Sequence, residues 1–308
     1  MKTLKEIYQA NEELNYIDSS LYSRYRVKAG LRNDNGTGVK VGLTKICDVI
    51  GYKIVHEKKY NIDGQLIYRG YPINYLVDKQ PKDRIFGFEE VAFLLIFGTL
   101  PTEEQLQEFK DYLLNFKMGP VDLQYETPNI LNALQIEVLK LYAKDPSADT
   151  DDLEERMMKG LNILASIPLF TFSYARNKVF KSYPYPDKSL AENILCMARG
   201  NDQYTFEEAR IMDTLLMVHA DHGGGNNSTF ANVVISSTGT DIYSCISAAI
   251  GSLKGPKHGG ANCKVTNMFK AIFHEVGFTT DKLTLKKIAN RLLDKDFFDH
   301  SGLIYGIG

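Results

Sequence analysis

The chain has 308 residues, of which 44% are hydrophobic and 24% charged, a balance typical of globular proteins and unlike that of disordered or fibrous chains. Its 36 basic and 38 acidic residues nearly cancel, so no polybasic surface indicates binding to nucleic acid or to an anionic membrane. A chain of this length fits one large domain or two ordinary ones, with ample apolar area to bury.

Neither a membrane span nor a secretion signal is predicted. The two most apolar stretches, residues 91–100 and 161–174, are too short to cross a bilayer, and Pro168 interrupts the second. The first residues, MKTLKEIYQANEEL, have no apolar signal core and predict a charged amphipathic helix. No Cys-x-x-Cys pair occurs among the four cysteines, which are Cys47, Cys196, Cys245 and Cys263. We therefore expect reduced thiols and a cytoplasmic protein.

Along the chain, the first predicted elements are a loop and a hairpin. Residues 30–38 are rich in turn formers but lack the Gly-Lys-Ser/Thr ending of a phosphate-binding loop. Two alternating runs within residues 52–71 flank Asp63 and Gly64. This pattern predicts a β-hairpin around that dipeptide.

The remaining pattern is helical. An apolar helix over residues 88–97 is expected to stop at Gly98, and Thr102 with Gln105 forms a capping box for the next helix. Thr205 and Glu208 form the same box before a helix over residues 206–219. Three more helices are predicted, over residues 187–197, 241–253 and 262–276, and residues 181–188 are predicted as a connector. The predicted fold class is mainly α with a small β-hairpin.

Histidine placement carries the functional signal, since three of the six histidines lie between positions 219 and 258. His219 and His222 end an apolar helix as His-Ala-Asp-His, and three glycines follow, which permit a sharp turn or a close backbone approach. The spacing alone leaves three interpretations open: favourable cations at a helix C-terminus, a site for a polar substrate, or a metal site that includes Asp221. A metal site would need a further ligand, for which His258 and Cys263 are the candidates.

His258 lies in Gly-Pro-Lys-His-Gly-Gly, between two predicted helices. Gly255 and Pro256 are expected to end the first helix, and the second begins at about Asn262. Amide groups at a helix N-terminus disfavour a protonated imidazole, so we expect a neutral His258 that donates a hydrogen bond to a developing oxyanion. Taken alone, the segment also fits an ordinary surface-loop histidine among turn glycines.

Five segments in order resemble signatures of the citrate synthase family. They are GLTKICDVIGY (42–52), IDGQLIYRGYPI (62–73), FEEVAFLLIFGTLPT (88–102), HADHGGGNNST (219–229) and LKGPKHGGAN (253–262). The resemblance implies a mainly α homodimer with a large and a small domain and an active site in the cleft between them. It also implies an acyltransferase of the tricarboxylic acid cycle that needs neither a metal nor a separate cofactor, because coenzyme A enters as part of the substrate.

The implied reaction removes a methyl proton from acetyl-CoA, and the resulting enol attacks the ketone of oxaloacetate before hydrolysis to citrate and CoA. By resemblance His258 is the catalytic residue that stabilises the enol, and His222 contacts oxaloacetate. Asn226 is assigned to substrate binding, and His219 and Ser228 to supporting roles.

Three other functions remain open. A 2-methylcitrate synthase that uses propionyl-CoA is the alternative within the family. A non-catalytic binding or regulatory protein could keep the same fold. An unrelated metal hydrolase could use His219, Asp221 and His222 as ligands.

The sequence departs from the family pattern at its end. There the family carries a second catalytic histidine, a catalytic aspartate and substrate-binding arginines, whereas this sequence reads SGLIYGIG and stops at Gly308. We therefore expect a large helical domain over 1–259 and an incomplete small domain over 260–308, with a helix over 284–295 and exposed apolar faces. Because deprotonation next to a thioester needs a positioned base as well as an oxyanion donor, we expect no measurable activity from these 308 residues.

Overall fold

A computed structural model describes residue 18, residues 20–25, 44–56, 58–119, residue 123 and residues 127–306. Within these residues the chain forms twelve α-helices and one three-stranded sheet, which confirms the predicted mainly α fold with a small hairpin. The predicted N-terminal helix and the loop over residues 30–38 lie outside the described residues. No helix in the described part of the chain is long and apolar enough to cross a membrane.

The sheet has the order β1-β2-β3, and its strands are β1 (Cys47–Val55), β2 (Lys58–Tyr68) and β3 (Tyr71–Pro72). The helices are α1 (Ser20–Arg24), α2 (Ile73–Asp78), α3 (Gly87–Phe97), α4 (Glu103–Leu114), α5 (Ile130–Lys144), α6 (Leu153–Arg176), α7 (Leu190–Arg199), α8 (Phe206–Val218), α9 (Asn227–Ser236), α10 (Ile242–Leu253), α11 (Ala261–Val276) and α12 (Lys282–Leu293).

Most predicted helix ends are confirmed because local capping determines them. Gly98 ends α3 with a left-handed φ of 90°, which glycine adopts without a side-chain clash. Both predicted capping boxes are present, at the starts of α4 and α8. The predicted start at residue 187 is wrong: Ser189 forms a capping box with Glu192, so α7 begins at Leu190. Likewise Asp281 accepts a hydrogen bond from the Thr284 amide, and α12 begins earlier than expected.

The predicted hairpin is present, but its turn lies elsewhere. Val55 pairs with Lys58, so the chain reverses between these two residues, and His56 has a positive φ of 46°. Asp63 and Gly64 lie inside β2. The pairing of the two strands shifts register there, opposite the segment of β1 between Ile50 and Tyr52. Turn-forming residues also occur at bulges, where one strand carries extra residues. The sequence pattern at Asp63 and Gly64 therefore fits a bulge as well as a turn, and the predicted position of the turn is wrong.

Two buried clusters form much of the core, and the second of them joins the sheet to the helices. The larger cluster is built by α3 to α7, around side chains such as Leu113, Leu169 and Met197. The second cluster packs the end of β2 against α2, α3 and the end of α8, through Tyr68, Leu76, Val91, Leu94 and Met217. This second cluster fixes the sheet beside the segment that follows α8.

The helices α11 and α12 pack around a small core of their own. Its buried members are Met268, Ile288 and Leu292, and its other members lie between residues 272 and 305. Large apolar side chains of this segment are exposed, at 88% for Phe278 and 71% for Leu283. The separate core fits a unit after residue 260, and the domain boundary itself stays a prediction.

Candidate functional site

A cavity of about 1350 Å³ lies between the β-sheet and the two histidine-bearing segments. Its described lining comes from residues 44–70, 222–227 and 252–258. His222 and His258 both belong to this lining, so the structure brings these two predicted site residues together. His56, His274 and His300 are not among the described lining residues.

The turn that carries His258 is held by hydrogen bonds between near neighbours. The carbonyl of Gly255 accepts from the amide of His258 at 2.9 Å and from that of Gly260 at 3.1 Å. A Cβ atom at Gly260 would lie 2.7 Å from the carbonyl oxygen of Lys254, and backbone atoms cannot yield cheaply at that distance. Glycine is therefore required for the tight connection between α10 and α11.

His258 is half-buried, and its Nε2 lies 3.1 Å from the hydroxyl oxygen of Ser228. Burial, and secondly the proximity of His222, lower the pKa of His258. The side chain is therefore neutral near pH 7, which is the state predicted from the sequence. The main cause differs, since removal from solvent lowers the pKa here, whereas the sequence argument relied on helix amides.

His222 and His219 point in different directions although they are three residues apart. His219 is the C-cap of α8 and is exposed, and its Nδ1 lies 2.7 Å from the carbonyl oxygen of Leu215. This geometry matches the helix-end interpretation, and His219 is not among the described lining residues. His222 lies in the following turn, exposed to the cavity.

The metal interpretation of the His-Ala-Asp-His segment has no matching ligand geometry. The Oδ1 atom of Asp221 accepts a hydrogen bond from the amide of Gly223 at 2.8 Å, in a local turn. Nowhere in residues 44–56, 58–119 and 127–306 do three His, Cys, Asp or Glu side chains converge as metal ligands would.

Asn226 lines the cavity and also starts α9 as its N-cap. Its Oδ1 accepts hydrogen bonds from the amides of Ser228 at 2.7 Å and Thr229 at 3.2 Å. This capping role was not predicted from the sequence, although an asparagine ahead of Asn-Ser-Thr is a local signal for it. The cap fixes the first turn of α9, and it thereby places Ser228 against His258.

Cationic side chains around the cavity were also missed. Four basic residues belong to the described lining, namely Lys45, Lys59, Arg69 and Lys257, against one carboxylate, that of Asp48. The guanidinium of Arg69 donates to the carbonyl oxygen of Leu95 on α3, which leaves three lysines for a ligand. The whole chain has a net charge of -2, so the cavity is far more cationic than the chain average. All of these except Lys59 lie within the five segments that carry the family resemblance, but only the fold brings them together. The arrangement favours an anionic ligand.

Comparison with known proteins identifies the family of the chain. The family model for the citrate synthase C-terminal domain matches residues 32–308. Citrate synthase of Haloferax volcanii is 38% identical over 239 residues, which cover 72% of this chain and 60% of that protein. The protein 2-methylcitrate synthase 1 of Corynebacterium glutamicum is 37% identical over 209 residues, which cover 64% of this chain and 53% of that protein.

The fold comparison leads to the same family. The crystal structure of citrate synthase from Pyrobaculum aerophilum aligns with a TM-score of 0.65 at 26% identity, covering 87% of this chain and 65% of that one. The chain thus spans about three fifths of the curated citrate synthase that it matches. Since the family model extends over nearly the whole sequence and the fold agrees, the chain belongs to the citrate synthase family.

Proposed function

We propose that the protein serves a citrate synthase-type condensation, in which the enol of acetyl-CoA attacks the ketone of oxaloacetate to give citrate and CoA. The observation that carries the proposal is one cavity lined by His222, by a half-buried His258 and by three lysines, Lys45, Lys59 and Lys257. Both substrates are anions, and the excess of positive charge in the lining suits them.

Oxaloacetate binding is assigned to the His222 side of the cavity. His222 is exposed there, and the Nδ2 group of Asn226 is the available donor, because Oδ1 of that residue caps α9. Lys257, directly before His258 in the sequence, also lines the cavity. A dicarboxylate would gain charge-assisted hydrogen bonds from these groups.

Enol stabilisation is assigned to His258. When the Ser228 hydroxyl donates a hydrogen bond to Nε2, the neutral ring carries its proton on Nδ1. That N–H group can then donate a hydrogen bond to the thioester oxygen. That bond strengthens as the oxygen gains negative charge, so it lowers the barrier more than it tightens substrate binding. The lowered pKa of His258 keeps the ring in this neutral form.

Calorimetry with oxaloacetate tests the binding half of the proposal. We expect the 308-residue chain to bind oxaloacetate, His222→Ala to weaken binding, and His274→Ala, an exposed position on α11, to leave binding unchanged. Release of CoA thiol from acetyl-CoA plus oxaloacetate tests the reaction and also the predicted lack of turnover. Absence of oxaloacetate binding, or equal effects of the two substitutions, would contradict the proposal.

A 2-methylcitrate synthase remains the second candidate, since a protein of that name is nearly as similar as the citrate synthase, at 37% against 38% identity. In a form of the protein that turns over, the ratio of kcat/KM for acetyl-CoA and propionyl-CoA would distinguish the two. Homodimer formation and a cytoplasmic location, both expected from the sequence, are further parts of the proposal. Light scattering of the purified protein tests the dimer.

A further inference from the structure

We propose that Tyr68, at the end of β2, positions His222 in the cavity. Tyr68 is a positioning residue in this proposal and not a catalytic one, because it acts through the segment that carries His222. The inference rests on the proposed function in one respect, which is the assignment of His222 to oxaloacetate.

The first observation is the place of the Tyr68 hydroxyl. Its side chain is 0% exposed, and the phenolic oxygen lies 3.0 Å from the carbonyl oxygen of Met217 and 3.2 Å from that of Asp221. The amide of Asp221 donates to the same oxygen at 3.2 Å. One hydroxyl therefore joins the last turn of α8 to the residue directly before His222.

The second observation concerns the residue directly after His222. Gly223 has a φ of 77°, and a Cβ atom there would lie 2.7 Å from the carbonyl oxygen of Cys47 in β1. The amide of Gly223 is in turn held by the Asp221 carboxylate at 2.8 Å. The backbone on both sides of His222 is thus fixed against the sheet, by a hydrogen bond on one side and by close packing on the other.

The Tyr68 hydroxyl stays protonated over the physiological pH range. Burial raises the pKa of Tyr68 to about 12, so the hydroxyl keeps its proton and can donate and accept at once. A phenylalanine would fill nearly the same volume but would leave the Asp221 amide without this partner. The turn would then be free to shift, and a misplacement of about 1 Å is enough to weaken a binding site strongly.

Tyr183 provides a matched control. It is also buried, at 2% exposure, and its hydroxyl donates to a backbone carbonyl, that of Ala165, at 2.8 Å. It belongs to the large helical core and is not among the described residues of the cavity lining. Tyr183→Phe therefore removes an equivalent buried hydrogen bond without touching the His222 segment.

The experiment uses the 308-residue chain with isotope-labelled histidine rings, whose signals can be followed by NMR without ligand. In Tyr68→Phe we expect the His222 signal to shift or broaden while those of His274 and His300 stay unchanged. Calorimetry should show oxaloacetate binding weakened about 10-fold or more. In Tyr183→Phe we expect neither change.

Three outcomes bear on the proposal. An unchanged His222 signal in Tyr68→Phe, or the same change in both variants, would overturn it. In a second outcome the unaltered chain fails to bind oxaloacetate while the His222 signal changes in Tyr68→Phe and not in Tyr183→Phe. That result would support the positioning of His222 and contradict the proposed function. If Tyr68→Phe does not fold, hydrogen exchange of the unaltered chain decides: a slowly exchanging Asp221 amide supports the bond to Tyr68, and rapid exchange refutes it.

Discussion

The two histidine-bearing turns face one cavity, but one is held by its own neighbours in the chain and the other by a distant sheet. His258 lies in a turn closed by hydrogen bonds to Gly255, three residues away. The backbone beside His222 contacts Tyr68 and Cys47, which lie more than 150 residues earlier in the sequence. The position of His258 is therefore encoded locally, whereas that of His222 depends on how the sheet packs against α8.

The two histidines also differ in their surroundings. His258 is half-buried and contacts Ser228, whereas His222 is exposed to the cavity. A partly desolvated neutral ring suits a donor to a developing charge, and an exposed ring suits contact with a ligand that arrives already charged.

His258→Ala should have the largest effect in any form of the protein that turns over. Loss of one oxyanion donor should lower kcat by about 100- to 1,000-fold with a modest change in oxaloacetate affinity. His222→Ala should instead weaken oxaloacetate binding first, because its partner is already polar in the free substrate. Steady-state kinetics of both variants measure this, and the opposite pattern would show that the two roles are reversed.

The free energy of unfolding should fall as pH rises, because a carboxyl group is buried in the helices that pack against the sheet. Glu89 on α3 is 0% exposed, and its Oε1 accepts from the amide of Leu190 at 2.7 Å. Burial, and secondly the charge of Asp213 on α8, raise the pKa of Glu89 from the usual 4.5 to about 8. The folded protein therefore keeps a proton between these values that the unfolded chain releases, and the free energy of unfolding falls as pH rises through this window.

Glu89→Gln tests this pH dependence. Between about pH 5 and pH 8.5 the variant should lose a few kcal/mol less of its free energy of unfolding than the unaltered protein does. The reason is that the amide stays neutral and keeps an oxygen that accepts from Leu190. Denaturant unfolding at several pH values measures it. Glu104→Gln, at an exposed position on α4, serves as the control and should leave the slope unchanged.

Gly260→Ala tests the locally encoded turn. The added methyl group would lie 2.7 and 2.8 Å from two backbone oxygens, and we expect the free energy of unfolding to fall by about 1–3 kcal/mol. Gly225→Ala in the His222 turn has no atom within 4 Å of the added Cβ, and it should cost less than about 0.5 kcal/mol. Equal losses in the two variants would contradict the tight packing inferred around His258.

Ser228→Ala should have the smallest effect. It removes a neutral hydrogen bond to His258, a change of about 0.5–1.5 kcal/mol, so in any form of the protein that turns over kcat should fall by a factor of roughly 2 to 13. Ser237→Ala, at an exposed position just after α9, is the matched control and should leave kcat unchanged. The NMR signal of His258 should respond only to the first substitution.

The sequence by itself determined the helical elements and the family. Helix ends at Gly98, Thr102 and Thr205 were predictable because capping involves residues only a few positions apart. The signatures around His222 and His258 were equally local. The misplaced hairpin turn shows the limit of this reasoning, since Asp63 and Gly64 suit a turn and a bulge equally well.

Only the tertiary structure decided which side chains share the cavity. It separates His219 from His222, brings Lys45 and Lys257 to one lining, and sets Tyr68 against the turn before His222. These contacts join residues that are far apart in the sequence and depend on how the sheet packs against α8. The spacing of residues along a chain carries no information on such contacts, because burial and long-range packing, not local hydrogen bonding, create them.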